Sequence, residues 1–192
     1  MSSTTEVAGQ AGLEASEARR LRNALGFFPT GVVIATAWDA AAGPLGMTMS
    51  SFTSVSLGPP LVMFSIDRRA ASLAAWLRAD GYAINVLASG QEHLSNQFAR
   101  ALTDKWQGVS FQRGLYGAPL LKDGLATFEC SLHRTFDGGD HMIFLAHVER
   151  FTCAGDTAGP LVFHRGRYTR LAPASDAADL ALPSAWPLSI HY

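Results

Sequence analysis

The sequence predicts a mainly β domain: an antiparallel barrel with about three helices packed outside it. Three features carry this expectation. Apolar, β-branched runs recur between turn signals rich in Gly, Pro and Asp. Strand–helix–strand repeats are few, which disfavours a doubly wound parallel sheet. Hydrophobic residues make up 48% of the 192 residues and charged residues only 16%, enough to fill one sizeable core.

Residues 1–15 are small and polar and are expected to form a disordered N-terminal tail. One domain then runs from 16 to 171. Ser16 is placed to cap a helix whose Ala18, Leu21, Leu25 and Phe28 share a face, and Pro29 ends it. GVVIATAW (31–38) is a strand by its β-branched density, and DAAAGP (39–44) is a turn. LGMTMSSFTSV returns as the hairpin partner of that strand. GPP (58–60) interrupts pairing, because proline has no N–H to give a ladder. LVMFSI (61–66) is continuously apolar and reads as a strand buried on both faces.

Ser72 caps a helix over SLAAWLRAD, and YAINVLA (82–88) is a further strand. Ser89 and Glu92 form a capping box for SGQEHLSNQFAR. Residues 103–118 read as a Gly-rich loop holding Trp106 and Phe111. Two long strands follow, 126–136 and 141–151, turned by FDGGD. In the first, Ala126, Phe128, Cys130 and Leu132 alternate with Thr127, Glu129, Ser131 and His133. In the second, Ile143 and Leu145 share a face with His141 and His147. LVFHRGRYTRL (161–171) is a last hairpin about Arg165 and Gly166. Residues 172–192, rich in Ala, Pro and Ser, form a C-terminal tail.

Charge and composition exclude several partners. The net charge is −1 and the basic residues form no stripe, so neither nucleic acid nor an anionic membrane is expected. No apolar run reaches the ~18 residues that a bilayer requires. The N-terminus lacks the apolar segment of a secretory signal. A soluble cytoplasmic protein is expected. Cys130 and Cys153 lack CxxC spacing and read as two small buried thiols in a reducing compartment. His141 and His147 share a strand face, but they stand well apart and Asp140 points the other way. With no third ligand assignable, no metal site is expected. GxSxG, GxGxxG and GxxxxGK[ST] are all absent.

GMTMSSFTSVSLGPP (46–60) carries six hydroxyls and no charge. As one strand it places Thr48, Ser50, Ser54 and Ser56 on one side with Phe52. Met47, Met49, Val55 and Leu57 fall on the other, with Ser51 and Thr53. A hydroxyl row suits a heteroaromatic ring with carbonyls and ring nitrogens. It also suits a solvent-facing strand, and residue types alone favour the latter. Phosphate has two possible seats: the arginines of DRRAAS (67–72) before a helix, and Arg100 with Lys105 after the next one. Each reads equally well as solvated charge.

Taken in order, PTGVVIATA, GMTMSSFTSVSLGPPLVMFSI, YAINVLASGQEHLSNQFA, GDHMIFLAHV and PLVFHRGRYTRL resemble the flavin reductase-like family. These are the short-chain NAD(P)H:flavin oxidoreductases that serve two-component flavin monooxygenases. The likeness covers residues 20–171. It implies an FMN-binding split β-barrel, a homodimer, and a flavin groove near the dimer interface. Carried over, Pro29, Thr30 and Gly31 would line the isoalloxazine. Thr48, Met49, Ser50 and Ser51 would contact the ring and ribityl chain, with Phe52 and Ser54 completing the wall. Ser65, Ile66, Asp67 and Arg68 would follow the ribityl-phosphate end, with Ser72 and the backbone of Phe98 and Ala99 near phosphate. His141, the catalytic residue, would meet the nicotinamide, and Tyr168 would lie near the pocket.

The implied reaction is hydride transfer from NADH, with NADPH possible, to FMN or FAD, and the reduced flavin feeds a partner monooxygenase. A flavin or electron carrier of the same fold without nicotinamide chemistry is the alternative. Two departures stand out. Ala146 occupies a position where the family usually has Gly, either narrowing the pocket or facing packing. Ser50 stands where many relatives have Asn. Neutral hydroxyls around the ring suit a protein that must hold oxidised flavin and then release reduced flavin.

Overall fold

A strand normally turns alternate side chains to opposite faces, so a strand buried throughout needs a core on each side. VIATAWD is such a strand: in β2 (Val33–Asp39) every residue but Trp38 is buried. The computed structural model, which describes residues 16–101, 104–155 and 158–171, shows why. β2 lies between β3 (Gly43–Met49) and β6 (Gly81–Val86) in a seven-stranded antiparallel sheet. The sheet continues through β9 (Ala126–Gly138), β10 (His141–Cys153), β5 (Pro60–Asp67) and β4 (Thr53–Leu57). Its two edges, β3 and β4, are consecutive in the chain and separated only by residues 50–52. So short a link cannot cross an open sheet of this width, so the sheet curls into the expected mainly β barrel.

The barrel interior is filled by Val33, Ala35 and Ala37 from β2, by Tyr82 and Ile84 from the neighbouring β6, and by Phe64, Phe144 and Ala146 from β5 and β10. Phe64 and Phe144 stack with ring centroids 5.1 Å apart. α2 (Leu73–Arg78) adds Trp76, whose carbonyl accepts the Tyr82 hydroxyl at 3.1 Å. Ala146 is therefore a packing residue: its methyl is fully buried among these side chains.

The second core lies on the outer side of β2, where Val32, Ile34, Leu87, Phe98, Leu121 and Leu161 meet beneath α3 (Glu92–Ala99). Phe98 packs edge-on against Trp106, at 4.8 Å. A Cβ at Gly46 would overlap the Phe98 ring, so β3 needs glycine where the helix crosses it. β1 (Thr30–Gly31) joins β11 (Val162–His164) and β12 (Arg167–Thr169) in a small sheet beside this core. α1 covers residues 16–25. Its expected apolar stripe is bare: Leu21, Leu25 and Phe28 are at least 61% exposed.

Several local expectations are corrected. LGMTMSSFTSV is not one strand. β3 pairs with β2 as far as Val33 opposite Met49, the chain leaves the ladder at residues 50–52, and β4 pairs with β5. The hydroxyls of 48–56 therefore do not form one row. GPP is the turn of the β4–β5 hairpin, with Pro60 opposite Leu57. β5 alternates, with Val62, Phe64 and Ile66 buried and Leu61, Met63 and Ser65 half-buried. Neither Ser72 nor Ser89 caps by its side chain. Gln91 is the N-cap of α3, and its Oε1 accepts Ala88 N–H at 2.9 Å.

Residues 103–118 hold more than a loop. β7 (Phe111–Arg113) pairs with β8 (Pro119–Leu121) across a single 3-10 turn. Cys153 is exposed rather than buried, and both cysteines are free. The two expected tails, 1–15 and 172–192, lie outside the described residues.

Candidate functional site

Two adjoining cavities open where β3, α3 and the small sheet converge. The first, of about 180 Å³, is lined by Val32, Thr48, Met49, Ser50, Ser95, Ala99, Phe163 and Tyr168. The second, of about 480 Å³, is lined by Met47, Thr48, Ala70, Ala71, Ser72, Ala99, Arg100, Ala101 and Lys105. They share Thr48 and Ala99 and so form one groove, apolar and aromatic at one end and basic at the other.

A hydrogen-bonded chain braces the first cavity. Thr48 Oγ1 donates to the Ser95 carbonyl at 2.7 Å, which ties β3 to α3. The Ser95 hydroxyl lies 2.8 Å from the Tyr168 hydroxyl, which ties α3 to β12. Tyr168 also reaches Asn96 Oδ1 at 3.4 Å. Phe163 meets Tyr168 edge-on at 5.6 Å. Three separate elements thus hold the walls of a flat slot, and each hydroxyl is neutral.

At the basic end, Lys105 Nζ donates to the carbonyls of Phe98 at 2.9 Å and Gly46 at 3.3 Å. Half-burial without a carboxylate partner pulls its ammonium below the ordinary lysine range. Such a cation is stabilised by an arriving anion. Arg100 stands beside it, exposed, and makes no ion pair among the described residues.

The expected residues fall into three groups. Thr48, Met49, Ser50, Ser72, Ala99 and Tyr168 line the groove. Pro29, Thr30 and Gly31 lead into β1 beside it, and space is open around Gly31. The rest are engaged elsewhere. Ser51 Oγ accepts Ser65 N–H at 3.1 Å, closing the gap left where β3 ends. Phe52 packs on Phe128, Ser54 pairs in β4, and Ile66 is in the barrel core. The Phe98 side chain is in the second core, so only its carbonyl reaches the groove end. Asp67 is held by Arg69 through two contacts at 2.8 and 3.1 Å, which keep its carboxyl far below the usual range. Arg68 pairs with Asp137 at 2.6 Å.

His141 starts β10 opposite Asp67 and lines neither cavity. Asp140 does not point away from it: Asp140 Oδ1 lies 2.6 Å from His141 Nδ1. That contact engages Nδ1, and the side chain stays partly exposed. Ser95 and Phe163 were not anticipated. The signal for Ser95 was a serine three residues before Phe98 on the buried face of an amphipathic helix, where an apolar residue belongs.

Residues 25–172 match the model of the flavin reductase like domain. A probable flavin reductase of Rhizobium meliloti is 38% identical over 88% of this chain, which spans only 54% of that relative's length. The reductase subunit HsaB of a flavin-dependent monooxygenase from Rhodococcus jostii is 36% identical, over 93% of this chain and 88% of its own. Among solved structures, Streptomyces globisporus NADH:FAD oxidoreductase SgcE6, in complex with NAD and FAD fragments, superposes with a TM-score of 0.79. It is 38% identical, over 84% of this chain and 96% of its own. With barrel, groove and sequence match in agreement, this chain belongs to the flavin reductase-like family.

Proposed function

We propose that this protein is an NADH-dependent flavin reductase that passes reduced FMN or FAD to a separate monooxygenase. The single observation that carries this reading is the groove itself, with a neutral, aromatic-walled slot at one end and Arg100, Lys105 and Ser72 at the other. A flavin has that same polarity: a flat uncharged ring system joined by a polar chain to phosphate. Relatives named as an NADH-dependent FAD reductase and an FMN reductase (NADH) support both flavins and the nicotinamide donor.

Flavin supplies the hydride acceptor when bound. Thr48 and Ser50, with nearby backbone amides, orient the ring. Tyr168 and Phe163 wall it and exclude water. Arg100, Lys105 and Ser72 hold phosphate. None of the described side chains that line the slot is charged, so they offer no cation to retain the reduced anion, and release follows. His141, held through Nδ1 by Asp140, offers Nε2 to the nicotinamide side. Its His141→Ala variant should lose NADH turnover while flavin binding persists. Loss of both, or of neither, would count against the assignment. Retained turnover with binding intact would leave His141 structural, and a wild type that binds flavin yet never oxidises NADH would favour a carrier.

The protein works as a homodimer in this reading. Leu57, Phe28 and Phe151 are 81%, 75% and 64% exposed, and a partner subunit would cover such apolar side chains. Sedimentation should give about twice the 20.5 kDa chain mass. A cytoplasmic site of action accords with two free thiols, and no helix among the described residues is long and apolar enough to cross a membrane.

A further inference from the structure

His141 is the first residue after the turn of the β9–β10 hairpin, and it pairs with Asp67, the last residue of β5. The turn therefore reaches past the end of β5. It holds two successive glycines, Gly138 and Gly139, and Gly139 has a φ of +76°. Such a turn is pliable and does not by itself fix the residue that follows it.

Arg68, the first residue beyond β5, grips this turn at three points. Its backbone N–H donates to the Asp140 carbonyl at 2.9 Å. Its Nε donates to the Gly139 carbonyl at 2.9 Å, and its Nη2 to Asp137 Oδ2 at 2.6 Å. Asp137 Oδ1 accepts the Gly139 N–H at 2.9 Å, and Asp140 Oδ1 lies 2.6 Å from His141 Nδ1. A continuous set of contacts thus links Arg68, through the turn, to the imidazole. The segment that carries Arg68 also frames the groove. Ser65 is bonded to Ser51, beside Ser50 of the slot, and Ala70, Ala71 and Ser72 line the basic half. Arg68 itself lines neither cavity.

We infer that Arg68 is a positioning residue for the nicotinamide step, locking the turn that carries His141 onto the segment that frames the flavin groove. The inference rests on reading that groove as the flavin site and His141 as the residue on the nicotinamide side.

The charges and exposures suit such a role. The Arg68 and Asp137 side chains are 37% and 77% exposed, so their ion pair adds little to global stability. Its effect is local. Hydride transfer depends steeply on the relative placement of the reacting groups, so a loosened turn shows in the rate rather than in the melting temperature. The guanidinium spans two acceptors at once, the Gly139 carbonyl and Asp137, which the single ammonium of a lysine does not reproduce.

The test compares wild type with Arg68→Met, Arg68→Lys and Asp137→Asn on the full chain, measuring flavin Kd, Tm and kcat/KM for NADH. Arg68→Met should lower kcat/KM for NADH about tenfold, with flavin Kd within about twofold and Tm nearly unchanged. Arg68→Lys should recover only part of that loss. Asp137→Asn, at a residue that lines neither cavity, should lower the same ratio about threefold. In a His141→Ala background, Arg68→Met should leave the residual rate of flavin bleaching unchanged, because it acts through that ring. An undiminished kcat/KM in Arg68→Met overturns the inference, as does a full further loss in the His141→Ala background. A weakened flavin Kd in Arg68→Met with Asp137→Asn silent also overturns it, and makes Arg68 a phosphate ligand instead. Full turnover in His141→Ala alone would sink the reading of His141 underneath.

Discussion

The hydroxyls of Ser95 and Tyr168 lie 2.8 Å apart and join α3 to the small sheet in the wall of the smaller cavity. Ser95 is completely buried. Its carbonyl holds Thr48, so one serine fixes both side walls. Removing the hydroxyl should loosen the slot rather than disable chemistry. Ser95→Ala and Tyr168→Phe should each raise the KM for flavin about threefold to tenfold with kcat within twofold. Because both remove the Ser95–Tyr168 bond, the double variant should fall well short of the summed losses. Additive losses would show that the two residues act separately.

Gly46 and Gly31 separate packing from binding. A methyl at Gly46 would drive into the Phe98 ring, whereas nothing lies within 4 Å of a methyl at Gly31. Gly46→Ala should destabilise the protein by about 2 kcal/mol, read by urea denaturation. Gly31→Ala should change stability by less than ~0.5 kcal/mol and raise the KM for flavin. A Gly31→Ala protein with unchanged flavin KM would remove β1 from the ring wall.

Glu129 sets an acid limit on stability. Its carboxylate is buried, pairs with Arg150 at 2.6 and 2.8 Å, and accepts Leu115 N–H at 2.6 Å. The Arg150 guanidinium, chiefly, holds its carboxyl below the ordinary range. A lowered folded value stabilises above the ordinary carboxylate range, and the benefit disappears as pH falls through the folded value. Glu129→Gln should therefore lower Tm at neutral pH, with a cost of about 1–3 kcal/mol. The gap to wild type should narrow on acidification from about pH 5. A gap that stays constant with pH would contradict the linkage.

The two thiols should differ sharply. Burial, aided by nearby Glu149 and Glu129, pushes the Cys130 thiol up to about 12, while Cys153 is exposed. A thiol reagent should titrate one cysteine in native protein and the second only after unfolding. Two fast thiols would mean that β9 opens readily.

The sequence made the fold more legible than the site, for physical reasons. Strands such as 31–38, 82–88, 126–136 and 141–151 announced themselves because β-branched density and alternation are local properties. The break at residues 50–52 did not, because what ends β3 is distant: Ser51 is claimed by Ser65 of β5. Thr48, Ser50, Ser72 and Tyr168 came from the family resemblance and do line the groove. Ser95 escaped notice because its role depends on Tyr168, far along the chain, while the Phe98 ring fills the second core and leaves only its backbone at the groove end. Spacing shows which face a residue shares, but not which distant element covers that face.

The most direct test of the central claim is anaerobic mixing of the purified protein with NADH and FMN or FAD, following the oxidised-flavin absorbance. The account predicts rapid bleaching with NADH and at least one of the two flavins. Flavin that binds in the groove yet keeps its colour with NADH, and with NADPH in its place, would contradict it.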